Sequence, residues 1–332
     1  MTGEAEYPPR GASEVQGAEG ARRRMLSRGT RSLLIVCTVV TLIHLIPLFI
    51  PRNMPEQQLS IARAMSSVSQ RVPFLRPLKD DAKATPAELR EAATLLLEGA
   101  PDDAHALARE AERRNPQEVE TQLLLARICD VERMSRCVST ALSRAETLAP
   151  RDARPDLLRA ELEEKDGDVV GAAEAMARAH GKAPGDPLVG LRYVHLLSAA
   201  KRGDEALAVL RKLEGRLPHA RLLVEQGRVH SREGHDTEAV KLFRAAVAED
   251  PKLSMGFFEL GLAWHRLGRV DTAEEALRQA DRLDRADPKA LAALCAIQLK
   301  ERRVDDARLT RMDLERRFSG QPELIRKSCS IP

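Results

Sequence analysis

The chain has 332 residues, of which 43% are hydrophobic and 31% are charged, a composition typical of folded proteins and not of disordered ones. Its net charge of +3 lacks the large basic excess typical of nucleic-acid-binding proteins, so no nucleic-acid partner is expected. Only 3% of the residues are aromatic, and a core built mainly from Ala, Leu and Val favours packed helices over sheets.

The first predicted elements are a polar N-terminus and an apolar segment. Residues 1–32 are poor in apolar residues and contain Gly and Pro, so we predict a disordered, basic N-terminus. An uncharged run of eighteen residues follows at 33–50. A helix of eighteen to twenty residues covers roughly 30 Å, the thickness of the hydrocarbon layer. A buried core helix is the alternative, but the run has no polar face, so residues 33–50 are predicted to form a transmembrane helix.

Arginines are distributed unequally around this segment. Five lie in the sixteen residues before it and two in the twenty residues after it. Because positive charge is retained in the cytoplasm, we expect a cytoplasmic N-terminus. In a bacterium this makes a single-pass inner-membrane protein whose C-terminal part is periplasmic. Small residues suited to signal cleavage lie more than ten residues too far downstream, so we expect an uncleaved anchor.

Residues 51–84 contain four prolines and are predicted to form a stem. One short amphipathic helix is expected within residues 56–68. Its Leu59, Ala62 and Met65 either rest on the membrane surface or belong to an ordinary linker helix.

From about residue 85 the chain repeats. Five prolines recur about 34 positions apart: Pro116, Pro150, Pro184, Pro218 and Pro251. A small or apolar residue precedes each of them by about twelve positions, and this series continues to Ala273 and Ala307. Two adjacent segments, "LLVEQGRVHSREGHDTEAVKLFRAAVAEDP" and "GFFELGLAWHRLGRVDTAEEALRQADRLDR", match position for position, so that Gly227 pairs with Gly261.

This pattern resembles the tetratricopeptide repeat (TPR) family, whose unit is a helix-turn-helix of the same period. The resemblance implies an all-α fold: a right-handed solenoid of about seven units over residues 85–320, preceded by the transmembrane helix and followed by a tail at 321–332. It also implies that Gly261 lies where the two helices of a unit cross and that Gly268 forms the turn between them. Stacked units of this kind share one continuous core.

No pattern typical of an enzyme is present in the sequence. There is no Gly-rich phosphate-binding loop after a strand, and the acidic residues fall on helix faces where solvated charge is expected. The eight histidines occupy ordinary helical positions. His230 and His235 are five residues apart and would not share a helix face, so no metal site, cofactor or catalytic residue is predicted.

Four of the five cysteines lie outside the apolar segment, and an even number suits an oxidising compartment. The turn "CDVERMSRC" would bring Cys129 and Cys137 together, and a tail that folds back would bring Cys329 to Cys295. The alternative is four free or buried thiols. Because no CxxC pair exists, a redox enzyme is not expected.

The resemblance implies that an extended peptide or a helix of a protein partner binds in the concave groove, which the first helix of each unit lines. Carrying the groove-facing positions onto this sequence gives a strip of thirteen residues: Arg127, Asp130, Arg154, Glu161, Glu164, His195, Ser198, Arg221, Arg228, Ser231, Met255, Phe258 and His265. The alternative is a solvated helix face. Within the strip, Arg221 and Arg228 are expected to point into the groove and to contribute little to stability.

The first functional hypothesis is a membrane-anchored scaffold or adaptor for the assembly or localisation of a bacterial envelope complex, such as a secretion, pilus or motility machine. The alternatives are a periplasmic chaperone-like holdase associated with the protein translocon, a mitochondrial-type import receptor, and a regulator whose repeats lie in the cytosol. A scaffold should retain one stable complex, whereas a holdase should retain many unrelated polypeptides.

Overall fold

The computed structural model describes residues 55–330, and this part of the chain is helical with no strand. The all-α prediction is therefore confirmed for these residues. The predicted N-terminus at 1–32 and the predicted transmembrane helix at 33–50 lie outside the described residues. Between 55 and 330, no helix is both long enough and apolar enough to cross a bilayer. The chain divides into two compact units, one that ends at Asn115 and one that begins at Pro116.

The first unit contains four α-helices and one 3₁₀ helix. Their bounds are α1 (Pro55–Ala64), α2 (Val68–Leu75), the 3₁₀ helix (Arg76–Asp80), α3 (Pro86–Leu96) and α4 (Pro101–Arg114). The start of α3 is fixed by a capping box, in which the Thr85 hydroxyl accepts from the Glu88 backbone and the Glu88 side chain accepts from the Thr85 backbone.

The segment predicted to be a stem is helical over residues 55–80 and contributes to the core of this unit. Leu59 and Ala62 are 1% and 0% exposed. Neither side chain is therefore free to rest on a membrane surface, which corrects that reading of the short helix. Leu75 and Leu78 are also fully buried. The apolar side chains of this segment are thus used for packing within the first unit, which α3 and α4 complete.

The second unit consists of six helix pairs and a short last helix. The pairs are α5 (Val119–Val131) with α6 (Ser135–Leu148), α7 (Arg154–Lys165) with α8 (Val169–Lys182), α9 (Pro187–Ala199) with α10 (Gly203–Lys212), α11 (His219–Arg232) with α12 (Asp236–Glu249), α13 (Ser254–Arg266) with α14 (Val270–Leu283), and α15 (Lys289–Lys300) with α16 (Val304–Arg317); α17 spans Pro322–Ser328. Pro150, Pro184 and Pro251 each lie two residues beyond the end of a second helix, where proline cannot continue it.

Small residues allow the two helices of a pair to cross closely. A Cβ atom on Gly227 would lie 2.4 Å from Cε1 of Phe243, and one on Gly261 would lie 2.8 Å from Cγ of Leu277. The prediction of a tight crossing at Gly261 is confirmed. Equivalent positions in the earlier pairs hold buried residues of complementary size: Ala126, Ala160 and Val194 in the first helices and Leu142, Met176 and Leu210 in the second. At Gly227 and Gly261 the smallest residue thus faces a large one, which keeps the interior densely packed.

Each turn between the paired helices of the second unit contains one left-handed residue, which is glycine in three turns and Arg133, Lys201 or Arg302 in the others. Gly234 has a φ of 83° and Gly268 a φ of 74°, so both occupy the region in which a side chain is disfavoured. This confirms the turn predicted at Gly268. Ala239 and Ala273, at the start of the following helices, are fully buried.

The C-terminal segment, predicted to be a tail that folds back, forms α17 and packs onto the last helix pair. Ile325 and Cys329 are 6% and 0% exposed and join the cluster around Leu294, Cys295 and Leu314. α17 therefore covers an apolar face of the pair α15 and α16. Capping of this kind is what an array of repeats requires at its end.

Candidate protein-binding groove

The centre of the candidate groove is a buried carboxylate in α11. This helix packs on both sides: Leu222 and Val229 join one core cluster, Val224 joins another, and the same packing encloses Glu225. The side chain of Glu225 is 0% exposed. A charged group in such a place requires partners, because its hydration is lost and only hydrogen bonds and opposite charges replace it.

Three cationic or ring-nitrogen donors surround this carboxylate. Nε2 of His195 in α9 donates to Oε2 at 2.9 Å, and Nε of Arg221 donates to Oε1 at 2.8 Å. Nη1 of Arg228 lies 3.2 and 3.3 Å from the two oxygens, and Nε of the same arginine donates to Glu259 in α13 at 2.7 Å. The network therefore links the first helices of three successive pairs.

The partners decide the charge state of the network. Burial alone raises the pKa of the Glu225 carboxyl, but the hydrogen bond from His195 and the charges of Arg228 and Arg221 outweigh it and lower the pKa to about 2. Burial by itself lowers the pKa of Arg228. The Glu259 and Glu225 carboxylates have the opposite and larger effect, so the pKa of Arg228 is raised above its ordinary value. At neutral pH the carboxylate and the guanidinium are both ionised.

Three clefts open beside this network. The central cleft, about 440 Å³, is lined by side chains of the network and by Ser198, Ser231, Arg232 and Arg266. Arg228 also lines a second cleft of about 500 Å³, whose apolar part includes Met255 and Phe258. A third cleft of about 330 Å³ is mostly apolar and is lined by Leu188, Leu191, Leu217 and Leu253 beside Arg221. Charged and apolar surfaces thus alternate along α9, α11 and α13.

The structure brings together the middle of the predicted strip. His195, Ser198, Arg228 and Ser231 line the central cleft, Met255 and Phe258 line the second, and Arg221 lines the third. Ser198 is 5% exposed and its hydroxyl donates to the carbonyl of Val194 at 2.8 Å, so its polar group already has a partner.

The remaining predicted residues do not join this site. Arg127 and Glu161 are exposed on their helices. Asp130 accepts from Lys165 at 2.5 Å, Arg154 pairs with Glu120 and Asp152, and Glu164 pairs with Arg192 at 3.3 Å. His265, whose side chain is 14% exposed, lies 4.0 Å from Glu301.

The expectation that Arg221 and Arg228 contribute little to stability conflicts with this geometry. Both guanidinium groups neutralise a carboxylate that water does not reach. Replacing them with acidic residues would leave Glu225 buried beside like charges, so they are unsuitable as a test of binding alone.

Sequence reasoning missed Glu225 and Glu259 and the arginines Arg232 and Arg266. A signal was nevertheless present. Glu225 is four residues after Arg221 and three before Arg228, the spacing at which side chains meet on a helix. Glu225 and Glu259 are also one full repeat apart and occupy the same repeat position. The spacing did not reveal that Glu225 is buried, because a charged residue on a helix is expected to be exposed to solvent.

The structure also brings the four cysteines together in two pairs. Cys129 is bonded to Cys137 with a Cα–Cα distance of 5.7 Å, and Cys295 to Cys329 with 5.5 Å. Both distances lie in the usual range for disulfides. The first pair spans the turn between α5 and α6, and the second ties the segment after α17 to α15.

His230 and His235 lie on opposite sides of the turn after α11. Since α11 ends at Arg232 and α12 begins at Asp236, His230 lies in the last turn of α11 and His235 just before α12, so the argument that one helix face cannot hold both does not apply. Their ring centroids are 6.1 Å apart.

Comparisons with known proteins follow the same repeats. Two family models, each described as tetratricopeptide repeat, match residues 164–226 and residues 225–290. No curated protein sequence matches the chain. Proteins built from such repeats are generally non-catalytic scaffolds for protein–protein interaction.

Two solved structures illustrate the likeness in fold, and a third gives a weaker match. A tetratricopeptide repeat protein from Parabacteroides merdae is 16% identical with a TM-score of 0.53, and the match covers 74% of this chain and 98% of that one. Yeast Tom70 is 14% identical with a TM-score of 0.51, covering 84% and 64%. The structure of the APC/C hetero-tetramer Cut9–Hcn1 gives 15% identity and a TM-score of 0.42, and this chain spans 55% of the matched chain.

Proposed function

We propose that this chain, in which residues 164–290 are tetratricopeptide repeats, is a membrane-anchored scaffold that holds a protein partner along α9, α11 and α13. The observation that carries the proposal is the network around Glu225. Its charges are fixed by one another before any partner arrives, and a prearranged surface loses less side-chain entropy on binding.

The chemistry of the clefts indicates the kind of segment that fits. Of the arginines that line the central cleft, Arg228 pairs with Glu225 and Glu259 and Arg266 pairs with Asp236 at 2.7 Å, which leaves the positive charge of Arg232 for a partner. The adjoining clefts offer apolar surface from Met255 and Phe258 on one side and from Leu188 on the other. An extended peptide or helix that carries an acidic residue between bulky apolar residues would match this alternation.

The proposed location is the bacterial cell envelope. The uncharged run at 33–50 and the excess of arginine before it support an anchor with the repeats on the periplasmic side. The two cysteine pairs support the same side, since disulfides persist in oxidising compartments. We propose assembly or localisation of a secretion, pilus or motility complex as the role of the scaffold.

Leu188 offers a probe of the groove that leaves the buried network intact. Its side chain is 73% exposed and lines the apolar cleft. Val170 offers the matched control, because it is 57% exposed, is also the second residue of its helix, and lines none of the three clefts. Leu188→Glu and Val170→Glu add the same charge at equivalent points of two helices.

The test is affinity purification of wild type and both variants from solubilised membranes, with mass spectrometry. Wild type and Val170→Glu should retain one stable set of proteins that Leu188→Glu loses. Retention of that set by Leu188→Glu would remove the groove as the contact surface. A broad collection of unrelated polypeptides would favour the holdase instead.

A second measurement addresses location by itself. A reporter that is active only in the periplasm, fused after Pro332, should be active. An inactive periplasmic reporter together with an active cytoplasmic one would place the repeats in the cytosol. Replacing the five arginines of the sixteen residues before the apolar run (Arg22, Arg23, Arg24, Arg28 and Arg31) with Glu should weaken or invert the orientation.

A further inference from the structure

The turn between α11 and α12 places three potential metal ligands together. The sequence there is His230-Ser231-Arg232-Glu233-Gly234-His235. Gly234 adopts a φ of 83°, and the backbone N–H of His235 donates to the carbonyl of His230 at 2.9 Å. The chain therefore reverses tightly after α11, and this reversal, not a shared helix face, brings the two imidazole rings near each other.

The ligand atoms are close to one another. One nitrogen of His230, one nitrogen of His235 and one carboxylate oxygen of Glu233 all lie within 4.8 Å of each other. Nδ1 of His235 is 3.7 Å from Oε2 of Glu233. Nδ1 of His230 is buried and has no hydrogen-bond partner among the described residues. Nδ1 of His180 and of His265 also lack a partner, but only the ring of His230 lies beside a second imidazole and a carboxylate, where a cation would satisfy it.

We propose that His230, Glu233 and His235 form a binding site for a divalent transition metal, with Zn²⁺ as the best match. Two imidazole nitrogens and one carboxylate oxygen are a donor set that Zn²⁺ favours, and a fourth position stays open to water or to a group from a partner. Softer thiolate ligands are absent from the site, and a set of oxygens alone, as Mg²⁺ and Ca²⁺ prefer, is absent as well.

Closure around the ion requires a small movement of exposed side chains. Ligands bound to Zn²⁺ at about 2.0–2.1 Å in tetrahedral geometry lie roughly 3.3 Å apart, so ligand atoms now within 4.8 Å of one another must approach by at most about 1.5 Å. The side chain of His235 is 62% exposed and that of Glu233 is 26% exposed, so both retain rotamer freedom. His230, the most enclosed of the three, would set the position of the ion.

Glu233 also has a structural contact that competes with this role. Its carboxylate lies against Gly203 at the start of α10, where the positive end of the helix dipole attracts an anion. Lys201 is a nearby cation. Its Nζ donates a hydrogen bond to the carbonyl of Arg232 at 2.7 Å, so the ammonium group is held at the backbone. The experiment must therefore separate loss of the metal from loss of the helix contact.

The test is titration of the purified full chain, without a polyhistidine tag, with Zn²⁺ alone by isothermal titration calorimetry. Wild type should bind one Zn²⁺ per chain, and His235→Ala should weaken binding at least about tenfold while leaving the metal-free melting temperature unchanged, since His235 is exposed. His219→Ala is the matched control. The side chain of His219 is also exposed, at 66%, but its only carboxylate neighbour in an ion pair is Glu249, and it belongs to no cluster of three ligands among the described residues. This variant should bind Zn²⁺ as wild type does.

Two results would overturn the site. One is wild type that takes up no Zn²⁺; the other is a His235→Ala variant whose affinity equals that of wild type. Glu233→Gln distinguishes the two roles of this carboxylate. If Glu233 is a metal ligand, the variant should bind Zn²⁺ more weakly. If Glu233 only contacts the start of α10, the variant should have a lower melting temperature and an unchanged affinity for Zn²⁺. Zn²⁺ should also raise the melting temperature of wild type and of His219→Ala but not that of His235→Ala.

Discussion

Arginines occupy the same repeat position in an early and a middle pair of the second unit, yet they are held in different ways. Arg154 in α7 pairs with Glu120 at 3.0 Å, and both side chains are about half exposed, at 53% and 49%. Arg221, two repeats further on, donates to Glu225, which is fully buried. Exposed pairs contribute little because solvent screens them, whereas a buried carboxylate depends on its partners. Equivalent positions in a repeat array therefore need not carry equivalent energetic roles.

The difference extends to the cores of the two regions. The cluster around α7 and α8 is built largely from alanine, with Met176 as its largest buried side chain. The cluster around α11 and α12 is built around Phe243, which fits only because Gly227 faces it. Close helix packing is reached in one region by small residues on both helices and in the other by pairing the smallest residue with the largest.

The largest expected effect comes from reversing charge at matched positions of the two regions. Arg221→Glu with Arg228→Glu should destabilise the second unit by about 3–5 kcal/mol, because a buried carboxylate loses its partners. Arg127→Glu with Arg154→Glu, at the same repeat positions, should cost under ~1 kcal/mol. Chemical denaturation of both double variants measures this. Equal losses of unfolding free energy in the two double variants would show that these arginines have the same energetic role in both regions.

The pH dependence of stability isolates Glu225. Its pKa falls from an ordinary value of 4.5 to about 2 on folding, so its stabilising contribution is fully present above pH 4.5 and is lost as the pH falls toward 2. At about 1.4 kcal/mol per pKa unit, that contribution is on the order of 3 kcal/mol. The difference in unfolding free energy between wild type and Glu225→Gln should therefore shrink between pH 5 and pH 3. A constant difference over this range would mean that folding does not lower the pKa of Glu225.

A smaller effect is expected from overfilling a crossing. Gly261→Leu should cost about 1–3 kcal/mol, because a Cβ there would lie 2.8 Å from Leu277 and 3.0 Å from the backbone oxygen of Ala273. Gly181 in α8 is the matched control, since nothing lies within 4 Å of a Cβ at that position. Gly181→Leu should leave the melting temperature unchanged or raise it slightly, because a helical glycine is replaced in open space. Similar losses in both variants would show that the crossing at Gly261 is not tight.

The sequence by itself determined the helical repeat. The nearly constant spacing of the prolines, the glycines at the turns and the small residues about twelve positions before each proline all follow from local geometry: a helix must end, reverse and lie close to its neighbour. These requirements act on residues near in sequence, so their pattern is legible without the fold. The tight crossing at Gly261 and the turn at Gly268 were predicted from the resemblance to the repeat family that this pattern carries.

Tertiary structure decided what each polar group in the array does. Residues 55–80 look like a proline-containing stem, but Leu59 and Leu75 are buried because the helices of the first unit pack on them. Glu225 looks like a surface charge until packing of α11 against its neighbours encloses it. His230 and His235 have the wrong spacing for one helix, and only the position where α11 ends brings their rings near each other. Burial and proximity across a turn depend on contacts between elements, which residue spacing within one element does not specify.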